Sequence, residues 1–421
     1  MTTNDHETIP QSFCVAPWIH AHVGANGRRR LCCISNEVPH EFAKIKYDDF
    51  KNSSYLKNIR QKMMSGVLPD ECHNCVNLNR ASSYKDLLNE QYTDKIPNIF
   101  NLTDHDGSTK VSLNYIDYRS NLCNLKCRTC NPGSSSAFQN HINKQIKEVA
   151  DILYPNQFGR DEKEIIHQYT QKYSAEVFQL IKENEIDRFY FAGGEPVLEP
   201  MHLKLLDELI LTGRHNCTQL IYNTNLSYSE SILENWILRI NQFKNVKIFV
   251  SLDGFGNVGE YIREGLNFEI FKKNLNRLIL CSEVEVVLDK TLTSLNLFFL
   301  EDFVNFALNS GVSRVVSKLM VADDFGFPLL KTEAIPEEVK NMLLERWNNF
   351  YTKLPVLSRE KLFNLNEIVQ LFGVRTQNTS YSKDDYLNRL EMFESMYPNK
   401  SKFIDLLQED ELGKMWASIL K

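Results

Sequence analysis

The 421-residue chain lacks any apolar run that approaches the length of a membrane span. Its start, Met1 to Ser12, has no basic stretch followed by an apolar core and a small-residue cleavage site, so no secretory signal is expected there. Basic surplus is missing too. Lys and Arg number 48 against 54 Asp and Glu, a formal net charge of -6, and a mildly acidic protein is a poor non-specific binder of polyanions. The sequence therefore predicts a cytoplasmic protein with no membrane association and no nucleic-acid partner. Neither an internal repeat nor a low-complexity segment is visible.

What is present is the composition of a globular enzyme: 43% hydrophobic and 24% charged, with 25 Phe and 17 Tyr. The length accommodates a full catalytic domain with substantial material on either side. Of ten cysteines, eight precede residue 131. In a chain of this kind they are expected as metal ligands or core thiols rather than a disulfide framework.

Three stretches separate by pattern. Residues 1–105 hold five cysteines and a turn signal, Ala25-Asn26-Gly27, which predicts a hairpin in a small metal-stapled unit. From Val111 onward, β-branched and aromatic runs alternate with helical stretches. Strands are predicted at Val111 to Tyr118, Arg188 to Ala192, Gln219 to Asn223, Val246 to Leu252, Val284 to Leu288 and Ser313 to Lys318. Six strands interleaved with helices predict right-handed βαβ units and a parallel sheet, doubly wound or curled into a partial barrel, with its chemistry at the carboxyl ends of the strands. Two helices are expected between Gln139 and Glu185, flanking a charge-rich middle at Tyr154 to Lys163. The tail beyond Pro336 is helical by pattern, with Trp347 and Phe350 on one helix and Leu387, Leu390 and Phe393 on another.

Directly after the first predicted strand, Asn121-Leu-Cys-Asn-Leu-Lys-Cys-Arg-Thr-Cys130 sets Cys123, Cys127 and Cys130 at C-x3-C-x2-C spacing. Three thiols on one loop can ligate three irons of a cubane cluster and leave the fourth open. A structural zinc is the alternative, but it wants four ligands, usually as paired knuckles. At the end of the next strand stands Gly193-Gly194-Glu195-Pro196. Two glycines permit positive φ and close backbone approach, a carboxylate suits an ammonium, and proline stops the strand.

Together these motifs resemble the signature of the radical S-adenosylmethionine (SAM) superfamily, and the likeness extends over roughly residues 111–320. The resemblance implies a partial (β/α)6 TIM-type barrel, a 4Fe-4S cluster on the three cysteines, and SAM chelating its open iron. Reductive cleavage of SAM would then yield methionine and a 5'-deoxyadenosyl radical that abstracts hydrogen from a substrate carbon. It further implies a SAM contact at Gly193 to Pro196, a ribose-side role for Thr224-Asn225, and Ser251 and Arg263 facing the SAM carboxylate. Asp253-Gly254 could equally be only a turn, and Arg263 could pair with Glu260 or Glu264 on the surface. Where the family often has an aromatic residue before its third cysteine, this chain has Thr129, so the adenine contact must come from elsewhere, near Leu319. The serines of Pro132-Gly133-Ser134-Ser135-Ser136 suit a helix N-cap beside the cluster.

Cys14, Cys32 and the pair Cys72 and Cys75 offer four soft ligands, which satisfy either a structural zinc or a second iron-sulfur cluster. Cys14-Val-Ala-Pro-Trp18, Gly27 followed by Cys32, and a Leu56, Ile59, Met63 stripe before Cys72 resemble a Twitch domain, the short form of the SPASM domain. That likeness implies an auxiliary 4Fe-4S cluster, unusually placed before the barrel. Adjacent strand residues face opposite ways, so only one of Cys32 and Cys33 is expected to serve, and Gly-x4-Cys spacing selects Cys32. Cys217 and Cys281 are expected as core thiols. Arg28-Arg29-Arg30 is expected as a solvated hairpin tip.

The fold expected from all this is α/β: a Twitch-like domain over residues 1–105, a catalytic barrel over 106–330 and a helical extension over 331–421. The expected activity is that of a radical SAM oxidoreductase assisted by the auxiliary cluster, served by an electron donor such as flavodoxin or ferredoxin. Its substrate is a small molecule or a peptide. Two alternatives stand beside it: a maturase of a ribosomally made peptide or a protein side chain, and a non-catalytic metal-binding interaction protein. The intact motifs argue against the last, and no stretch reads as the winged-helix leader-binding module that many peptide maturases carry.

Overall fold

A computed structural model describes residues 9–25, 27–43, 45–77, 83–130, 132–145, 162–320, 335–374, 383–395, 397 and 402–420. The fold is mixed α/β with a mostly parallel sheet. Ten strands are described: β1 His20–Val23, β2 Arg29–Arg30, β3 Tyr115–Ser120, β4 Lys126–Cys127, β5 Arg188–Gly193, β6 Gln219–Thr224, β7 Val246–Ser251, β8 Arg263–Glu264, β9 Val284–Leu292 and β10 Arg314–Leu319. The chain divides into two compact units. The first comprises Met1–Ser120, Asp161–Ala192 and Lys204–Leu220, and the second Asn121–Arg160, Gly193–Leu203 and Ile221–Lys421.

In the first unit the strand order is β5-β3-β1-β2. The hairpin predicted at residues 25–27 joins β1 to β2, closed by Gly24 N–H donating to the Arg28 carbonyl at 2.9 Å, with Gly27 at φ 75° where a side chain would be strained. β1 itself was not anticipated. It is only four residues long and wholly buried, with two histidines on one face, too short an alternation to mark a strand, yet it pairs in parallel with β3. The helix Ser54–Met64 starts where the Ser53 side chain accepts the Leu56 N–H, and it buries Leu56, Ile59 and Met63 on one stripe. These pack with Phe13, Trp18, Leu88, Ile96 and Ile99. Each such side chain contributes about 1.5–3 kcal/mol. Arg60 on the same stripe is buried because its guanidinium donates to the carbonyls of Pro17 and Gly107.

The arginine tip departs from expectation. Arg29 is buried, and its Nη2 binds both carboxylate oxygens of Glu176 at 2.7 and 2.8 Å. Glu176 lies on the helix Glu162–Glu183, so a partner 147 residues away neutralises what local sequence reads as a solvated run. Arg28 and Arg30 hold Glu37 nearer the surface. Cys217 is a second correction. It is exposed at the end of the turn Arg214–Asn216, whereas Cys281 is buried as expected.

In the second unit the order is β10-β9-β7-β6, with β7, β9 and β10 in parallel register. Val246, Ile248 and Val250 are buried while their alternates are half-buried, the pattern of a strand with one face in the core. Helices Glu230–Ile240, Phe268–Ile279 and Leu300–Asn309 intervene between strands. Trp347 and Phe350 share the helix Glu337–Lys353, and Leu387, Leu390 and Phe393 share Lys383–Ser395. The helices Ser136–Gln145 and Glu162–Glu183 match the pair predicted there, and most of the charge-rich stretch Tyr154 to Lys163 lies outside the described residues. No helix among the described residues is long and apolar enough to cross a membrane.

Candidate active site and thiol clusters

β3 reaches Ser120, two residues beyond its predicted end, and so delivers the chain directly into the cysteine loop. Cys123 N–H donates to Ser136 Oγ at 3.1 Å, Ser136 N–H to the Asn121 carbonyl at 2.7 Å, and Ser135 Oγ to the Leu125 carbonyl at 2.6 Å. Ser135 Oγ also accepts the Phe138 N–H, the N-cap role expected of this serine run. At the other end β4 pairs antiparallel with β8, which sets Cys127 opposite Arg263. Arg128, between the second and third cysteines, is buried. Its Nε donates to the Tyr261 carbonyl at 2.7 Å, and its guanidinium lies 4.1 Å from the Tyr261 ring centre and 3.9 Å from that of Tyr397. Nothing local in the sequence marks Arg128 as this anchor, because both rings come from more than 130 residues away.

The three thiols are half-buried, yet the surrounding protein desolvates them enough to push Cys123 up to about 12 and to raise Cys127 well above an ordinary thiol. A bound cation is what would hold such groups as thiolates. No three of the chain's sulfurs lie within 4.8 Å of one another among the described residues. Sulfurs around a tetrahedral zinc with 2.3 Å bonds sit roughly 3.8 Å apart.

Gly193 ends β5 at φ 102°, a conformation other residues rarely adopt. A Cβ on Gly194 would stand 2.2 Å from the Leu122 carbonyl oxygen, and Glu195 N–H donates to that same oxygen at 2.6 Å. Gly194 is thus needed for close approach to the cysteine loop one residue before Cys123. Gly194→Val should consequently lower iron content as well as SAM affinity, and iron analysis after anaerobic reconstitution checks this. Unchanged iron with weakened SAM binding would mean that the glycine serves the ligand alone.

Glu195 is buried and both its oxygens are spent within the protein: Oε1 accepts Thr224 Oγ1–H at 2.8 Å and Oε2 accepts the Asn225 N–H at 2.6 Å. It braces the ends of β5 and β6. Pro196 follows at the first position of the turn Pro196–Leu198. Burial pushes the Glu195 carboxyl up to about 7, against the opposing pull of these hydrogen bonds. A raised folded-state value means that its stability contribution is full below its ordinary value of 4.5 and is lost as pH rises through 7. Thermal melts from pH 4.5 to 8 should show wild type losing stability relative to Glu195→Gln. Parallel profiles would show that the carboxyl does not titrate in this window.

Asn225 Nδ2 donates to Asn124 Oδ1 at 2.9 Å and approaches Cys123 Sγ at 3.9 Å, so the residue expected near the ribose touches the cysteine loop. Ser251 ends β7 half-buried, opposite Asp289 of β9. Arg263 does not pair with Glu260 or Glu264. Its Nη2 lies 2.9 Å from Asp253 Oδ2, and its Nε is buried without a hydrogen-bond partner among the described residues. Asp253 is more than a turn residue: Oδ1 accepts the Thr291 N–H, and its carbonyl accepts from buried Lys290 and Asn296. The orphan Arg263 nitrogen, next to Cys127, is a donor in want of an anionic ligand. Asp253, Lys290 and Asn296 were not singled out from sequence as its supports, because they converge from separate strand ends.

In the first unit, Cys14, Cys32, Cys72 and Cys75 line one cavity, together with Met63, Tyr84 and Lys85. Burial, compounded by their mutual repulsion as thiolates, pushes Cys14, Cys32 and Cys72 up to about 12. Lys85 N–H donates to Cys75 Sγ at 3.4 Å. Cys33 does not line this cavity, and its electrostatic neighbours are Arg119, Asp117 and Tyr84 as well as Cys32.

No family model matches the chain, and no curated protein matches it either. Solved structures similar to it are distant. Streptococcus suis SuiB bound to S-adenosylmethionine is 13% identical, with 71% of this chain and 60% of that one covered at a TM-score of 0.38. Native anSMEcpe with bound AdoMet is 17% identical over 57% and 60%, also at 0.38. TYW1 with a lysine-pyruvate adduct bound is 13% identical over 56% and 71%, at 0.28. This chain spans about three fifths of the length of the first two. At such scores the likeness carries no weight, and function has to be read from the chain's own residues.

Proposed function

We propose that this chain is a radical SAM enzyme whose second unit binds a 4Fe-4S cluster through Cys123, Cys127 and Cys130 and SAM beside it. The observation that carries the reading is the convergence of three strand ends on one loop. Gly194 presses on Leu122, Asn225 on Asn124, and Arg263 stands opposite Cys127. A bound cluster would supply the electron for reductive cleavage of the SAM carbon-sulfur bond, giving the 5'-deoxyadenosyl radical that abstracts hydrogen from a substrate carbon. Arg263, held by Asp253, offers its free Nε to the SAM carboxylate. The strand-end loop at Gly193 and Gly194, braced by Glu195, contributes backbone polar groups to the amino end. Ser251 and Asn225 frame the remainder, and Arg128 fixes the loop between two rings so that the thiols keep their spacing.

Cys14, Cys32, Cys72 and Cys75 would hold a second 4Fe-4S cluster. With all four thiols engaged it has no site for substrate, so its role is to accept an electron or to staple the fold. In this reading residues 1–105 carry the auxiliary site, 106–330 the SAM-cleaving one, and 331–421 a helical extension. Oxidation of a small-molecule or peptide substrate is the reaction class, with a flavodoxin or ferredoxin as electron donor. The test is direct: anaerobically reconstituted, dithionite-reduced protein should convert SAM to 5'-deoxyadenosine and methionine in equal amounts. A protein carrying a full complement of iron that forms neither product refutes the reading.

A further inference from the structure

β1 and β3 run parallel with His20 opposite Tyr115 and His22 opposite Asp117. Residues two apart on a strand share a face, so His20, His22, Tyr115, Asp117 and Arg119 project to one side. One donor atom each from His20, His22 and Asp117 lies within 4.8 Å of the others, and the three residues are only 6%, 4% and 0% exposed. His22 Nδ1 lies 2.8 Å from Asp117 Oδ2. Arg119 grips the same carboxylate through Nε and Nη2 at 2.8 and 3.0 Å. His20 is different: its ring stacks on Tyr115 at 4.1 Å, and neither nitrogen makes a hydrogen bond among the described residues. The Leu31 backbone is nearby, short of hydrogen-bond geometry. A neutral imidazole always presents one N–H and one lone pair, so a buried ring with both unsatisfied lacks a partner.

We propose that His20, His22 and Asp117 bind one divalent transition-metal ion of the zinc or ferrous-iron class, at a site separate from both thiol sets. Two imidazoles and a carboxylate form a borderline donor set that suits these ions and is poor for magnesium or calcium. Tetrahedral coordination at about 2.1 Å bonds sets donors about 3.4 Å apart, so His22 and Asp117, now 2.8 Å apart, open slightly while His20 turns inward, a movement that side-chain rotation supplies. A ligating carboxylate is commonly held by a further hydrogen-bond donor, and Arg119 takes that place on Asp117. The ion would satisfy His20, which no group among the described residues does.

Zinc is the probe. Fully reconstituted protein is incubated anaerobically with zinc sulfate, desalted, and analysed for zinc and iron per chain. Wild type should retain about one zinc beyond its iron, and a raised melting temperature should accompany it. His20→Phe keeps the stack on Tyr115 but removes both nitrogens, and it should fall to below about a tenth of the wild-type zinc with iron unchanged. If that variant loses iron as well, His22→Gln decides, since its amide retains the bond to Asp117 while the second imidazole is gone. Equal zinc in wild type and in a variant of normal iron content overturns the proposal. So does wild type that retains no zinc.

Discussion

Cys127→Ala is expected to abolish 5'-deoxyadenosine formation, a loss on the order of a thousandfold or more, and to lower iron by about four per chain. The magnitude follows from position. Cys127 is the middle cysteine of the proposed ligand set, fixed on β4 against β8, and the chain on either side is tied down independently, before it by Ser135 and Ser136 and after it by Arg128. Removing the thiol therefore deletes a ligand without releasing the loop, and neither remaining cysteine can swing across to replace it. Melting temperature should change little relative to a wild-type protein stripped of its clusters. If SAM cleavage persisted in a folded Cys127→Ala protein, the triad would not be the catalytic site.

Cys72→Ala is expected to have the opposite profile. Iron should again fall by about four, but 5'-deoxyadenosine formation should stay within about threefold of wild type, because every residue assigned to SAM binding lies in the second unit. Cys72 shares its cavity with Cys14, Cys32 and Cys75, and the first unit's core of Phe13, Trp18, Leu56 and Met63 is built around the same segments. Loss of a metal can unfold such a unit, so circular dichroism and SAM affinity have to be measured on the same sample. Cys33→Ala is the paired control and should leave iron unchanged, since Cys33 lies outside that cavity. A folded Cys72→Ala protein with full iron would remove Cys72 from the ligand set. One that is folded but inactive towards SAM would tie the N-terminal thiols to cleavage itself. Once a substrate is in hand, the electron-acceptor role predicts that hydrogen abstraction continues in this variant while oxidised product fails to accumulate.

What was legible in advance was whatever is encoded over a few residues. The Gly-Gly at a strand end, the turn at residues 25–27 and the Leu56, Ile59, Met63 stripe depend on short-range geometry, and each has its expected local form. Six strand positions were readable from hydrophobic alternation, although β9 runs to Leu292, four residues past its predicted end. β1 was missed because it is only four residues long and its two histidines are buried rather than exposed. Arg29 was misread because its partner Glu176 lies 147 residues away.

The sequence by itself therefore determined the thiol inventory: which cysteines exist, on which short loops they sit, and that they fall into two sets. Only the tertiary structure decided what surrounds them. It turned Glu195 inward onto Thr224 and Asn225, paired Arg263 with Asp253 instead of its helix neighbours, clamped Arg128 between Tyr261 and Tyr397, and gathered His20, His22 and Asp117 on one face. Apart from the neighbours His20 and His22, these contacts join residues 10 to 269 positions apart, and most span more than 25. Their energy comes from burying charge with a partner, a term that no local pattern of residues reports, because its sign depends on what the fold brings within hydrogen-bond distance.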